Sequence, residues 1–192
     1  MLDRSDLWSL EDYSRERENF RTRVLAHKSN RRVTLGGHIL LTFEDDLTVK
    51  YQIKEMLRIE KIFESTAIRE GMDAYNPLTP DGDNWKCTML IQYEDVEERK
   101  QRLGELIGIE DRVWVKIGEG EKIYPIADED LERSNAEKTS AVHFMRYQLS
   151  QSQVEDARSG ESIVFGVDHI AYPCDEIVLN EEARHSLIAD LK

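Results

Sequence analysis

The same order of short segments occurs twice in the second half of the chain, and this order constrains the fold more than any other feature. Short runs in which apolar and polar residues alternate are typical of half-buried strands, and a capped amphipathic segment follows the first run of each set. The first set predicts strands at 85–93, 113–117 and 123–124 and a helix at 95–108; the second predicts strands at 141–149, 163–167 and 177–179 and a helix at 152–160. We therefore predict two β-α-β-β units, related by a degenerate internal duplication or alike by chance. They would form one mostly antiparallel sheet of about six strands with helices on one face.

The preceding part of the chain predicts N-terminal helices and a short β-hairpin. Ser9 begins a capping box, and the pair Gly36 and Gly37 separates two alternating runs, which is a hairpin signal. Helices are predicted at 10–28, 46–72 and after Asn180, and the hairpin at 31–43. The predicted fold class is α+β in a single domain, 1–192. Its possible lobes are a helical lobe with the hairpin, 1–80, and a duplicated lobe, 81–192.

The composition narrows the possible partners and the location. The chain has 39 acidic and 26 basic residues, for a net charge of −13. This charge repels phosphate backbones and anionic lipids, so we expect neither nucleic acid nor a membrane as partner. The N-terminus lacks the apolar segment of a signal peptide, and Cys87 and Cys174 stand alone. We expect a cytoplasmic protein without a disulfide.

Glu60 is the most unusual residue of the predicted long helix, because it lies at the centre of an apolar stripe. A buried carboxylate must be paired, metal-bound or protonated. The first helix offers Arg17 and His27 as partners, so we predict that Glu60 is buried and paired with one of them. The alternatives are a structural ion pair, a polar pocket with Glu60 as metal ligand, acid–base group or substrate contact, or a rotated helix with Glu60 exposed.

A proline-rich segment leaves the same helix and offers a second candidate region. Pro77 and Pro80 restrict it, and Tyr75 and Asn76 add an aromatic face and an amide, so it either binds a ligand or seals the core. The candidate ligand-binding residues of the two regions together are Arg17, His27, Gln52, Glu55, Arg58, Glu60, Glu64, Tyr75 and Asn76.

Cofactor signals are weak in this sequence. It contains no nucleotide-binding glycine loop and no nucleophile elbow, and its five histidines show no helical metal-ligand spacing. His143, His169 and Cys174 are weak metal candidates, because a site would require assembly across the fold. No cofactor is evident, and a bound metal is left open.

Several segments resemble a bacterial domain-of-unknown-function family, number 3501 in that series. The segments are 43–44, 51–60, 74–80, 109–115, 137–144 and 167–169, and YQIKEMLRIE at 51–60 is specific. The family has no assigned activity. The resemblance implies a genomic context, because such proteins are often encoded beside a rubrerythrin and an iron–sulfur oxidoreductase of heterodisulfide-reductase type.

Two functions follow as expectations. The first is a non-catalytic accessory or binding protein of a rubrerythrin-linked redox or peroxide-response system, with rubrerythrin or the iron–sulfur oxidoreductase as partner. The second is a small enzyme or metalloprotein with a polar site around Glu60. Metal analysis of the purified protein separates the two.

Overall fold

The computed structural model describes residues 2–192 and contains helices that pack around antiparallel strands. The helices are α1 (Leu10–Ser29), α2 (Asp46–Ile59), α3 (Ser65–Tyr75), α4 (Val96–Glu105), α5 (Gln151–Ser159) and α6 (Glu181–Ile188). The strands are β1 (Arg32–Leu35), β2 (Ile39–Phe43), β3 (Asn84–Ile91), β4 (Val113–Ile117), β5 (Ile126–Ala127), β6 (Val142–Gln148), β7 (Ile163–Val167) and β8 (Ile177–Val178). The predicted α+β class is confirmed. No helix within the described residues is long and apolar enough to cross a membrane.

The strands form two sheets, so the prediction of one sheet was wrong. The first sheet has the order β1-β2-β3-β6-β5, and the second has the order β4-β7-β8. Each predicted β-α-β-β unit contributes one strand to the β3/β6 pair and one to the β4/β7 pair. Alternating patterns predict strands but not their neighbours, because pairing depends on where each helical connection crosses.

The main core lies between the two sheets. Phe43 and Tyr147 of the first sheet meet Phe165 of the second, with ring centroids 5.4 Å and 5.9 Å from that of Phe165. The Tyr147 hydroxyl donates to the Val113 carbonyl at 3.0 Å, and the Trp85 indole donates to the Leu187 carbonyl at 2.9 Å. These bonds satisfy the polar atoms of large aromatic side chains and tie α6 to the core.

The predicted long helix at 46–72 is interrupted, and that part of the prediction was wrong. Helix α2 ends at Ile59 and α3 begins at Ser65. Lys61 adopts a left-handed φ of 55°, and the Ile62 amide donates to the Leu57 carbonyl, which closes the helix end. Lysine rarely adopts this conformation and the segment contains no glycine or proline, so the sequence lacks the usual stop signal.

Candidate functional site

A cleft of about 950 Å³ lies between the end of α3 and the outer face of the first sheet. One wall is the segment 74–78, and the other is formed by β3 and β6. The lining residues are Ala74, Tyr75, Pro77, Leu78, Asp81, Asp83, Asn84, Lys86, Cys87, Glu129, Asp130, Phe144, Met145, Arg146 and Gln148. This volume is typical of small-molecule sites, which span roughly 300–1,000 Å³.

Strand alternation positions the side chains of the sheet wall. Trp85, Cys87 and Met145 are buried toward the core, so their neighbours on β3 and β6 face the opposite side. Lys86 lies directly opposite Arg146 in the strand register. Two facing cations repel each other, and this arrangement therefore requires nearby carboxylates.

Two carboxylates on the rim neutralise these cations. Asp81 is 2.8 Å from the Lys86 ammonium, which also donates to the Thr79 carbonyl. Glu129 accepts two hydrogen bonds from Arg146, at 2.8 Å and 2.7 Å. The hydrogen bond from Lys86 lowers the pKa of Asp81, and that from Arg146 lowers the pKa of Glu129. Both acids are ionised at neutral pH, and both cations are occupied.

The remaining acids of the lining differ in their partners. Asp130 is paired with Arg133, whose guanidinium lies 4.6 Å from the centroid of the Phe144 ring. Asp83 is exposed and accepts a hydrogen bond from the Asn84 amide. In the described part of the chain, Asp83 has no cation within ion-pair distance. The cleft thus combines an aromatic and aliphatic lining with one unpaired carboxylate.

The two candidates of the proline-rich segment have different positions. Tyr75 lines the cleft. Asn76 is buried and turned away from the cleft: its side chain accepts from the Leu2 amide at 3.1 Å and donates to the Leu2 carbonyl at 3.0 Å. The segment therefore contributes to a cavity wall and also holds the N-terminal residues.

The structure contradicts the prediction for Glu60. Helix α2 ends one residue before it, and Glu60 is exposed. The partner of Arg17 is Glu55, with the guanidinium Nε and Nη2 atoms at 2.8 Å and 2.9 Å from its two oxygens. Tyr13 and Arg58 also donate to Glu55. The hydrogen bond from Arg17 lowers the pKa of Glu55 strongly. A polar cluster joins α1 and α2 as expected, but around a different carboxylate.

His27 was also assigned to the wrong partner. Its ring is hydrogen-bonded to Asp45, the N-cap residue of α2. The buried Arg31 guanidinium lies beside Asp45 and pairs with Asp190 after α6. Burial raises the pKa of Asp190 to about 6 despite this pair. This cluster links the helical region to the C-terminus.

The two remaining ligand-binding candidates, Gln52 and Glu64, lie outside the cleft. Gln52 donates to Glu44 at 3.1 Å, and the Thr88 hydroxyl donates to the same carboxylate at 3.3 Å. This contact joins α2 to the outer face of β3. Glu64 is exposed at the start of α3.

The three metal candidates do not come together. His143 is buried, with Nδ1 at 2.6 Å from Asp128 and Nε2 at 2.9 Å from the Thr139 hydroxyl. His169 contacts the Ile107 carbonyl, and Cys174 is a half-buried free thiol. Within residues 2–192, His, Cys, Asp and Glu side chains form no group of three or more that could hold a metal ion.

The environment of His143 positions one side of the cleft. Asp128 has a left-handed φ of 52°, and its carboxylate accepts from His143 and from the Phe144 amide. Thr139 donates to the buried Glu110 at 3.1 Å. This buried network anchors the loop that carries Glu129. The loop begins at Asp128, which is hydrogen-bonded to the Phe144 amide.

Sequence reasoning missed Lys86, Phe144 and Arg146 as cleft residues. The alternation of β6 was the available signal, because His143, Met145 and Tyr147 share the buried face and leave Phe144 and Arg146 on the other.

Comparisons with known proteins identify the family but no activity. The family model described as a protein of unknown function (DUF3501) matches residues 1–191. A novel protein of unknown function from Burkholderia pseudomallei K96243, whose crystal structure is known, is 45% identical to this chain, and its structure aligns with a TM-score of 0.94. That match covers 100% of this chain and 99% of the other. No curated protein matches the sequence. Because the family model spans nearly every residue, the chain belongs to the DUF3501 family of proteins of unknown function.

Proposed function

We propose that the protein is a non-catalytic binding protein whose cleft takes a ligand with an apolar body and a positively charged end. The observation that carries this proposal is the combination of an apolar lining with the unpaired carboxylate of Asp83. Tyr75, Pro77, Leu78 and Phe144 supply the apolar contact surface. Apolar clefts with a few placed polar groups are the usual form of ligand sites.

The charge pattern favours a cationic ligand over an anionic one. Lys86 and Arg146 are already paired with Asp81 and Glu129, so an anion would have to displace a carboxylate from each. A cation can approach Asp83 without breaking an ion pair. The net charge of −13 adds a long-range attraction for cations.

The family resemblance supplies a proposed source for this ligand. We propose that the cleft holds a basic, apolar group presented by rubrerythrin or by the iron–sulfur oxidoreductase, in a cytoplasmic redox or peroxide-response system. The protein would then act as an accessory factor that brings its partner into position. The acidic surface and the cationic preference of the cleft support a basic partner.

A pair of probes with the same body and opposite charge tests the cleft. Isothermal titration with phenylbutylamine and phenylbutyrate should give tighter binding of the amine. Phe144→Ala should weaken amine binding about tenfold, since a lost aromatic contact is worth roughly 1.5 kcal/mol. Val142→Ala, on the same face of β6 but outside the cleft lining, is the matched control and should bind as the wild type does.

The role of Asp83 has its own control. Asp83→Asn should reduce the preference for the amine, whereas Glu132→Gln, at an exposed acid outside the lining, should leave it unchanged. Equal affinity for both probes would contradict the charge preference, and unchanged binding by Phe144→Ala would place the site elsewhere.

The proposed partners require a separate measurement. Purified rubrerythrin or the iron–sulfur oxidoreductase should bind the wild-type protein, and excess phenylbutylamine should compete. Binding that Phe144→Ala leaves intact would exclude the cleft as the docking point. Absence of binding by both proteins would overturn the redox link while leaving the ligand site standing.

A further inference from the structure

The N-terminal segment 2–9, here called the strap, lies across α2 and α3 and is held at three points. The Leu2 amide donates to the Asn76 side chain, which in turn donates to the Leu2 carbonyl. Leu7 is buried in the apolar cluster of Val49, Ile53, Leu57, Ile68 and Met72. The Trp8 carbonyl accepts a hydrogen bond of 2.6 Å from the Lys54 ammonium. The strap thus covers Lys54.

Lys54 is an unusual residue to find under such a segment. Only 1% of its surface is exposed, although it lies in the middle of α2. Its Nζ atom lies 5.2 Å from the centroid of the Tyr13 ring. No carboxylate of residues 2–192 forms an ion pair with it. Among the described residues, the Trp8 carbonyl and the face of the Tyr13 ring are the groups that stabilise a protonated Lys54.

The groups around Lys54 do not compensate its charge. Arg4 of the strap and Lys50 of α2 are both cationic and repel it. Tyr13 of α1 is committed to Glu55, which is itself held by Arg17. Burial, followed by the repulsion from Arg4 and Lys50, lowers the pKa of Lys54 from 10.5 to about 8.

We propose that the strap is a releasable latch, weakened by the positive charge of Lys54 and coupled through Asn76 to the wall of the proposed cleft. Asn76 follows Tyr75 and precedes Pro77 and Leu78, so its bond to Leu2 connects the strap to three lining residues. The coupling rests on the proposed function, whereas the latch does not.

The direction of the pH effect follows from the two states of Lys54. With the strap closed, the pKa of Lys54 is about 8, and with the strap open it returns toward 10.5. The open state therefore binds the proton more tightly, and closure strengthens as the pH rises from about 8 to about 10.5. Below this window the closing equilibrium is weaker than above it by up to about three-hundredfold. The latch is thus weaker at neutral pH than at pH 10.

Trp8 provides a direct readout of the strap. Trp85 and Trp114 are 0% and 2% exposed, so acrylamide quenching of tryptophan fluorescence reports on Trp8, which is half-buried in the strap. Quenching of the wild type should decrease between pH 8 and pH 10. Lys54→Met keeps an unbranched apolar side chain without the charge, and it should give low, pH-independent quenching. Lys100→Met, on the exposed face of α4 and away from the strap, is the control and should retain the pH dependence.

The outcomes separate the latch from the cleft. Quenching that does not change with pH, or that changes equally in Lys54→Met, overturns the latch. If the latch behaves as expected, phenylbutylamine should decrease Trp8 quenching at pH 7, and Lys54→Met should bind the amine more tightly. Amine binding without any effect on Trp8 overturns the coupling alone. Failure of the amine to bind either protein contradicts the proposed function and leaves the latch standing.

Discussion

Among single residues, Glu55 joins α1 to α2 through hydrogen bonds from side chains of both helices. It accepts hydrogen bonds from Arg17, Arg58 and Tyr13, and its side chain is 16% exposed. Glu60 lies five residues later in the same sequence motif and is exposed. The two glutamates therefore form a natural pair for comparison, because they differ in environment and not in chemistry.

Glu55→Ala should lower the free energy of unfolding by about 1–2 kcal/mol, a value reduced from that of fully buried pairs because solvent reaches the cluster. Glu60→Ala should change it by less than about 0.5 kcal/mol. Urea unfolding of both variants measures the difference. The pKa of Glu55 is lowered in the folded protein, so its contribution should be present above about pH 4.5 and decrease as the pH falls below that value. Equal losses for the two variants would contradict the assignment.

The sequence predicted that Arg17 pairs with a carboxylate of the second helix, but it predicted the wrong carboxylate. Arg17 was expected to reach a carboxylate on α2, and it does. The helical-wheel angle favoured Glu60 because the apolar pattern continues past the end of α2 at Ile59. Tyr75 was proposed because two prolines follow it; it ends α3 and lines the cleft, and its role in binding stays a prediction. Phe144 was missed because an aromatic residue on a strand is usually assigned to the core.

At the scale of elements, the β4/β7 pair depends on a close approach between a glycine and a tryptophan. Trp114 lies opposite Gly166 in the register. A Cβ atom on Gly166 would lie 2.2 Å from the Trp114 ring, much closer than van der Waals contact. The ring is 2% exposed and enclosed, so it has little freedom to move.

Gly166→Ala should therefore destabilise the protein by about 1–3 kcal/mol through overpacking. Gly71→Ala is the matched change within α3: its Cβ would meet only the terminal methyl of Met56, a flexible group. Alanine also favours a helix over glycine by about 1 kcal/mol, so this variant should be neutral or stabilised. Thermal unfolding of both proteins gives the sign of each effect. A stable Gly166→Ala protein would show that the Trp114 ring can move aside.

Periodicity and capping predicted most elements because both signals are local. Ser9 caps α1 and Gly36 and Gly37 form the β1/β2 turn with φ of 57° and 83°, as the sequence indicates. The break between α2 and α3 was not predicted, because Lys61 adopts a left-handed conformation that lysine rarely favours, and no glycine or proline marks the position.

At the scale of the whole molecule, the pairing of β3 with β6 explains the position of the cleft. The two strands present an outer face away from the core. The segment that ends α3 lies over this face and leaves a cavity instead of a sealed contact. The order of segments predicted β3, β4, β6, β7 and β8. It did not predict β5, which lies after the strand expected at 123–124, nor the two sheets, because the crossing of each connection depends on long-range packing.

The most direct test of the cleft is to map where a cationic, apolar probe binds on the intact protein. Backbone amide chemical shifts should be measured by nuclear magnetic resonance during titration with phenylbutylamine. The largest changes should occur at Tyr75, Lys86, Phe144 and Arg146. The competing surface is the α2–α3 connection, where Ile59 and Phe63 are 66% and 70% exposed. Changes concentrated at Ile59 and Phe63, or spread evenly over the chain, would contradict a ligand site between α3 and the β3/β6 face.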